Sequence, residues 1–238
     1  MAEKSAVIVG ASGGIGASLV AALAGDTEFG HVYALSRTPS SAPSSKVTAA
    51  AIDPLDPASV ATAVGGIEGP IHRLIITTGM LHDSEQGPEK SWRDLDADRL
   101  ARSFAINAIA PALVIRAFIP LMTRKERAEI AVLSARVGSI TDNRSGGWHG
   151  YRASKAALNQ LIKTLAIELA RTHPELVCVA LHPGTVDTGM SRPFQGGVAP
   201  EKLFAPDFSA HAMLGVLSQL TPAQSGLHFA WNGTEIPA

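Results

Sequence analysis

Four β-forming residues, Ala6-Val7-Ile8-Val9, run straight into Gly10-Ala11-Ser12-Gly13-Gly14-Ile15-Gly16, and an apolar helical pattern at Leu19, Val20 and Leu23 follows at once. No other stretch constrains the chain as much, because strand, glycine turn and helix in this order make an anion-binding turn. Gly10 permits the tight turn, Gly14 lets a pyrophosphate approach the backbone, and Gly16 lets the helix pack close to the strand. Ser12, Gly13 and Ile15 complete the stretch that would face such a ligand. The spacing is GxxxGxG rather than GxGxxG. A glycine turn alone is equally an ordinary strand-to-helix loop, and it is the flanking strand and helix that favour the nucleotide reading.

The length of 238 residues suits one large α/β domain spanning residues 1–238. With a net charge of -1 and 17% charged residues, the chain carries no electrostatic footprint for nucleic acid or an anionic membrane, so a small-molecule ligand fits better. The single cysteine, Cys178, lies in the apolar run 176–181 and reads as a buried strand residue in a reducing compartment. Residues 1–5 lack the pattern of a secretion signal, and no uninterrupted apolar stretch nears the ~20 residues that span a bilayer. The expectation is a soluble cytoplasmic protein. The eight histidines are scattered, so no metal site is expected.

Strand-like residues 31–35 lead into Ser36-Arg37-Thr38, the place where a dinucleotide fold meets the adenosine ribose. An acidic residue there would bind a 2′-hydroxyl, whereas Arg37 suits a 2′-phosphate and favours NADP over NAD; the alternative is a solvated arginine. Residues 39–46 read as a loop. Strand 48–52 ends at Asp53, which either accepts from an adenine amino group or forms a turn, and Asp56 with Pro57 opens a helix over 58–64. Strand 74–76 leads to Thr77-Thr78-Gly79, where Gly79 would let the backbone lie against a cofactor. Polar residues 80–98 read as a loop and the approach to a helix over 97–116, whose apolar pattern Asn107 interrupts. A buried asparagine must satisfy its amide, either as a structural tie or as an organiser of a site.

Strand 130–133 opens into Ser134-Ala135-Arg136-Val137-Gly138-Ser139 and a glycine-containing loop, and then Gly150-Tyr151-Arg152-Ala153-Ser154-Lys155 starts a helix with a core stripe of Leu158, Leu161, Ile162, Leu165 and Leu169. Tyr151 and Lys155 are spaced i to i+4 and share one helical face. A phenol, which ionises near pH ~10, becomes useful near neutrality if an ammonium one turn away stabilises its anion. Strand 177–181 leads to His182-Pro183-Gly184-Thr185-Val186-Asp187-Thr188, a rigid turn forming another wall. Residues 189–207 read as an irregular cover that includes Met190, followed by a helix over 208–219 and a strand over 227–230. His149 reads either as a pocket residue or as a solvated loop residue.

GASGGIG, Asn107, YRASK and HPGTVDT, in this order and over almost the whole chain, resemble the short-chain dehydrogenase/reductase family, in particular its small single-domain carbonyl reductases and C-factor-like cell-signalling proteins. The resemblance implies a doubly wound parallel (Rossmann) sheet of about seven strands with helices on both faces. It implies an NADP-dependent oxidoreductase that reduces a small carbonyl or oxidises the matching alcohol, with a homo-oligomer among the assemblies it allows. By the same analogy Tyr151 is the general acid, Lys155 lowers its pKa and holds the nicotinamide ribose, and Asn107 maintains a water linked to the lysine. Pro183 and Gly184 would form a turn through which Val186 and Thr188 contact the carboxamide and pyrophosphate region. Against the family pattern, Ile76-Thr77-Thr78-Gly79 keeps only the glycine of Asn-Asn-Ala-Gly. The substrate-orienting serine, second of a Ser-Ser pair, is Ala135. Ser139, twelve residues before Tyr151, is the preferred replacement and Ser134 the alternative. The competing function is a dinucleotide-binding signalling protein with little turnover.

Overall fold

The computed structural model describes residues 3–40, 42, 44–83 and 87–238. The loops expected over 39–46 and 80–98, and the N-terminal residues 1–5, extend beyond this set. Strands β1 (Lys4–Val9), β2 (Phe29–Ser36), β3 (Val47–Ala51), β4 (Arg73–Ile76), β5 (Ala128–Leu133), β6 (Leu176–His182) and β9 (His228–Ala230) form one sheet of seven, ordered β3-β2-β1-β4-β5-β6-β9. Every pairing in it is parallel. Two short strands, β7 (Thr185–Val186) and β8 (Leu203–Phe204), pair separately.

The near-continuous apolar strands are explained by burial on both faces. Val7, Val9, Leu74, Ile76, Ile130 and Val132 pack against α2 (Pro57–Gly65), α4 (Ala110–Phe118) and α5 (His149–Leu169). Ala6, Ile8, Ile75, Ala131 and Leu133 pack against α1 (Gly14–Gly25) and α6 (Pro206–Gln219). Strand order reverses between β1 and β4, and there the carboxyl ends of the strands open a crevice between diverging helices. Asp56 accepts from the Ala58 amide at 2.9 Å with Pro57 at the first position of α2, as its sequence predicts.

The helix expected over 97–116 is α3 (Ala97–Phe104), a π-helical turn over Ala105–Ile109, and then α4. The continuous helix Ala97–Leu121, though interrupted by Asp98, Arg99, Arg102 and Arg116, is long and apolar enough to cross a membrane by length and composition, with mean hydropathy 1.8 over an 18-residue window. In the fold it packs against α5 and supplies Val114, Ile115 and Phe118 to the core. Residues 189–207 hold 3-10 turns at Arg192–Gly197 and Pro200–Lys202, followed by β8, which ties this segment to the sheet's carboxyl end through β7.

Candidate active site

The crevice at the switch point is floored by the glycine turn. Gly10 adopts φ 93°, open only to glycine, and a Cβ there would strike the Thr77 hydroxyl. A Cβ on Gly16 would strike the Gly10 carbonyl, so α1 can approach β1 only without a side chain at this position. Gly16→Ala is therefore expected to destabilise the fold by about 2 kcal/mol, read as a lowered urea midpoint at unchanged slope. Helix α1 has neither a side-chain cap nor an acidic residue in its first turn, so its N-terminal amides are open to an anion. The Thr77 hydroxyl donates to the Val9 and Gly10 carbonyls at 3.0 and 3.1 Å, so a threonine fastens the turn where the family pattern has asparagine.

A cavity of about 510 Å³ runs from this turn, lined by Gly10, Ser12, Gly13, Arg37, Asp53, Thr78, Gly79 and Met190 among others. Arg37 is exposed, with no hydrogen bond or ion pair among the described residues. Asp53 accepts from the Leu55 amide at 3.0 Å, so its turn role is realised while it also lines the cavity. The Thr78 hydroxyl, beside the glycine turn, is buried without a hydrogen-bond partner among the described residues. This cradle of small residues, open amides and an unpaired cation fits a dinucleotide.

Tyr151 and Lys155 both lie in the first turns of α5, with the lysine nitrogen 5.9 Å from the phenol ring centroid. The Lys155 ammonium donates to the Leu133 carbonyl at 2.7 Å. Burial pushes the Tyr151 phenol up to about 12 and the Lys155 amine down to about 7. Desolvation thus moves the two groups in opposite directions, the phenol upward and the amine downward.

Asn107 is fully buried on the π-helical turn. Its Oδ1 accepts from the Met80 amide at 2.7 Å, and its Nδ2 donates to the Met80 carbonyl at 2.9 Å and to Ser154 Oγ at 3.1 Å. The side chain clamps the strand-to-loop backbone after β4 to α5. Asn107 Oδ1 and Lys155 Nζ stand 3.4 and 3.5 Å from where a Gly79 Cβ would lie, so Gly79 brings its backbone between them.

A second cavity, about 260 Å³, opens beside Tyr151 and shares Met190 with the first. Its walls include Ile15, Ser134, Ala135, His182, Pro183, Gly184, Val186 and Thr188, so the turn after β6 takes its expected place. Gly184, at φ 83°, has no room for a Cβ between Phe204 and Trp231. Ser139 is not brought to this cavity. Residues Arg136–Gly138 form a 3-10 turn that carries Ser139 away, and its hydroxyl accepts from the Asp142 amide at 3.0 Å near the terminal Ala238 carbonyl. Ser134 does line the cavity, but its hydroxyl donates to Asn159 Oδ1 at 2.7 Å. His149 starts α5 outside the lining of either cavity.

Trp148 and Phe194, not singled out from the sequence, form the apolar wall, with rings 5.2 Å apart and Trp148 6.4 Å from the Tyr151 ring. Trp148 adopts φ 53° after Gly146 and Gly147, and its amide donates to the Glu89 carbonyl at 2.5 Å. A bulky residue in the left-handed region is costly and is retained where the surroundings hold it. The signal available in the sequence was an aromatic residue directly after two glycines and three before Tyr151.

Residues 4–197 match the family described as short chain dehydrogenase. The chain is 37% identical over 170 residues to C-signal of Myxococcus xanthus, covering 71% of this chain and 93% of that protein. It is 32% identical over 193 residues to an uncharacterized oxidoreductase of Schizosaccharomyces pombe, covering 75% and 70%. Among solved structures, the NADPH-bound carbonyl reductase from chicken fatty liver superposes with a TM-score of 0.88 at 26% identity, covering 99% of this chain and 94% of that one.

Proposed function

Because this chain belongs to the short-chain dehydrogenase family, we propose that it is an NADP-dependent reductase of a small carbonyl compound, with Tyr151 as the general acid. One observation carries the reading: Tyr151, with Lys155 one helical turn behind it, lines an apolar cavity that meets, at Met190, a cleft lined by Arg37. The reading is supported further by the NADPH held by the chicken carbonyl reductase.

The residues that would hold the dinucleotide are the turn Gly10, Ser12, Gly13, Gly14, Ile15 and Gly16, then Arg37, Asp53, Gly79, Lys155, Pro183, Gly184, Val186 and Thr188. When bound, the reduced nicotinamide supplies a hydride to the substrate carbonyl carbon. Tyr151 delivers its hydroxyl proton to the carbonyl oxygen, a transfer suited to a phenol that burial keeps protonated. Lys155 then stabilises the phenolate. Trp148 and Phe194 exclude water and hold the apolar part of the substrate. Ile109, Leu113 and Ile167, exposed on neighbouring helices, support pairing of two copies of the chain.

The test is NADPH oxidation with a panel of ketones and aldehydes, together with Arg37→Asp. That variant is expected to raise the KM for NADPH at least about tenfold while NADH is little affected, since a charge-assisted pair with the 2′-phosphate is lost and a repulsion added. Unchanged coenzyme preference would remove Arg37 from the reading. A second reading, a dinucleotide-binding regulator with little turnover, is favoured by Ala135 and by the identity to C-signal. NADPH binding without oxidation across the whole panel would select it.

A further inference from the structure

The opening amides of a helix have no partner within it. At α5 the capping position is taken by Trp148, whose indole carries no acceptor, and the helix has no cap from that side chain. Tyr151 is the third residue of this helix. Whatever holds the first turn of α5 therefore also sets where the phenol stands.

Glu89 holds that turn from 61 residues away. Its carbonyl accepts from the Trp148 amide at 2.5 Å and its carboxylate accepts from the Gly150 amide at 3.2 Å, so one residue grips the backbone on both sides of His149. The residue is only 4% exposed and forms no ion pair among the described residues. A buried carboxylate needs compensation, and the positive end of the α5 dipole faces this one. The approach is close: a Cβ on Gly150 would lie 2.9 Å from Glu89 Oε1 and 3.0 Å from Ser103 Oγ of α3.

Glu89 is itself tied on either side. The Arg99 guanidinium donates to the Gly87 carbonyl, and the Lys90 and Ser91 amides donate to the Asp94 carboxylate at 3.0 and 2.9 Å. Trp148, by contrast, stands at φ 53°, a conformation that a bulky residue keeps only while its surroundings hold it. Released from Glu89, its backbone is free to relax, and the turn that carries the phenol moves with it.

We propose that Glu89 is a positioning residue for the reaction, its carboxylate capping α5 so that the Tyr151 hydroxyl and the Trp148 wall keep their places in the cavity. This rests on the carbonyl reductase reading, in which Tyr151 is the acid. Glu89 touches neither substrate nor coenzyme in this role and exchanges no proton.

The experiment compares wild type with Glu89→Ala, Glu89→Gln and Ser225→Ala. Glu89→Ala is expected to lower kcat about tenfold, within the ~10²-fold that a misplacement of about 1 Å costs. The KM for NADPH should stay within about twofold, since the glycine turn and Arg37 are untouched. Glu89→Gln keeps an acceptor oxygen of the same reach and should return kcat to within about threefold of wild type. Ser225→Ala is the control for stability alone. It removes the hydroxyl that accepts from the Cys178 amide and donates to the Leu176 carbonyl, each at 3.1 Å, at the end of β6 away from the crevice. Its urea midpoint should fall while kcat holds. Glu89→Asp, one methylene too short, should show the same loss as Glu89→Ala and carries the test if the alanine variant does not fold. Independently of turnover, hydrogen exchange at the Gly150 amide should quicken roughly tenfold in Glu89→Ala and not in Glu89→Gln. Wild-type kcat in the alanine or aspartate variant overturns the assignment, as does an equal loss in Glu89→Gln or an unchanged Gly150 exchange rate. Absence of any wild-type turnover overturns the reductase reading instead, and with it the positioning role, while the exchange rates still report whether the tether exists.

Discussion

Tyr151→Phe is expected to lower NADPH-dependent carbonyl reduction about 10³-fold while NADPH still binds, which single-turnover absorbance and fluorescence titration will separate. The variant removes one oxygen and keeps the ring, so the contact with Trp148 at 6.4 Å and the cavity wall survive. What disappears is the only group whose proton can follow the hydride. Because burial pushes the phenol up to about 12, the wild-type acid is fully loaded throughout the neutral range. No rise of reductive activity with pH should therefore trace to Tyr151. Retained turnover in the phenylalanine variant would mean that another group supplies the proton.

Lys155→Met is expected to abolish turnover and, at pH 7, to stabilise the protein by about 2 kcal/mol. Burial depresses the amine from 10.5 to about 7, and each unit corresponds to about 1.4 kcal/mol of unfavourable charging. Loss of the 2.7 Å hydrogen bond to Leu133 offsets part of the gain. The sign can be checked against pH. Between about 7 and 10.5 the unfolded chain binds the lysine proton and the folded one does not, so wild-type stability rises with pH there. The destabilisation is complete below about 7, and the gap between variant and wild type should narrow from pH 7 to pH 9 in urea unfolding. From about pH 9 the Cys178 thiol, pushed up to about 12 from 9.0, offsets that rise, since the unfolded thiol ionises first; it is shared by variant and wild type and leaves their gap unchanged. A gap that stays constant or widens would contradict the buried-amine account. In the same window the ammonium fraction falls, so kcat/KM for reduction should decline above about pH 7.

The features read correctly from the sequence are those whose meaning is local. The glycine turn places Gly10, Gly14 and Gly16 within one strand-to-helix junction, and the spacing of Tyr151 and Lys155 puts both on one helical face whatever surrounds them. The buried strands were legible because a parallel sheet with two covered faces needs apolar residues at every position. The choice of Ser139 failed for the opposite reason. Counting back from Tyr151 assumes a loop of fixed length, whereas the 3-10 turn at Arg136–Gly138 and the left-handed Gly146, Gly147 and Trp148 set the path here.

The sequence by itself determined the glycine turn between β1 and α1, the sheet and the helical face shared by Tyr151 and Lys155, because short-range geometry links those residues to one another. Only the tertiary structure decided the rest. It shows that Asn107 clamps Met80 and Ser154, that burial raises Tyr151 and lowers Lys155, and that the Ser134 hydroxyl is taken up by Asn159. Hydrogen-bond partners and desolvation are set by what distant segments bring within a few ångströms, and residue spacing along the chain does not encode that.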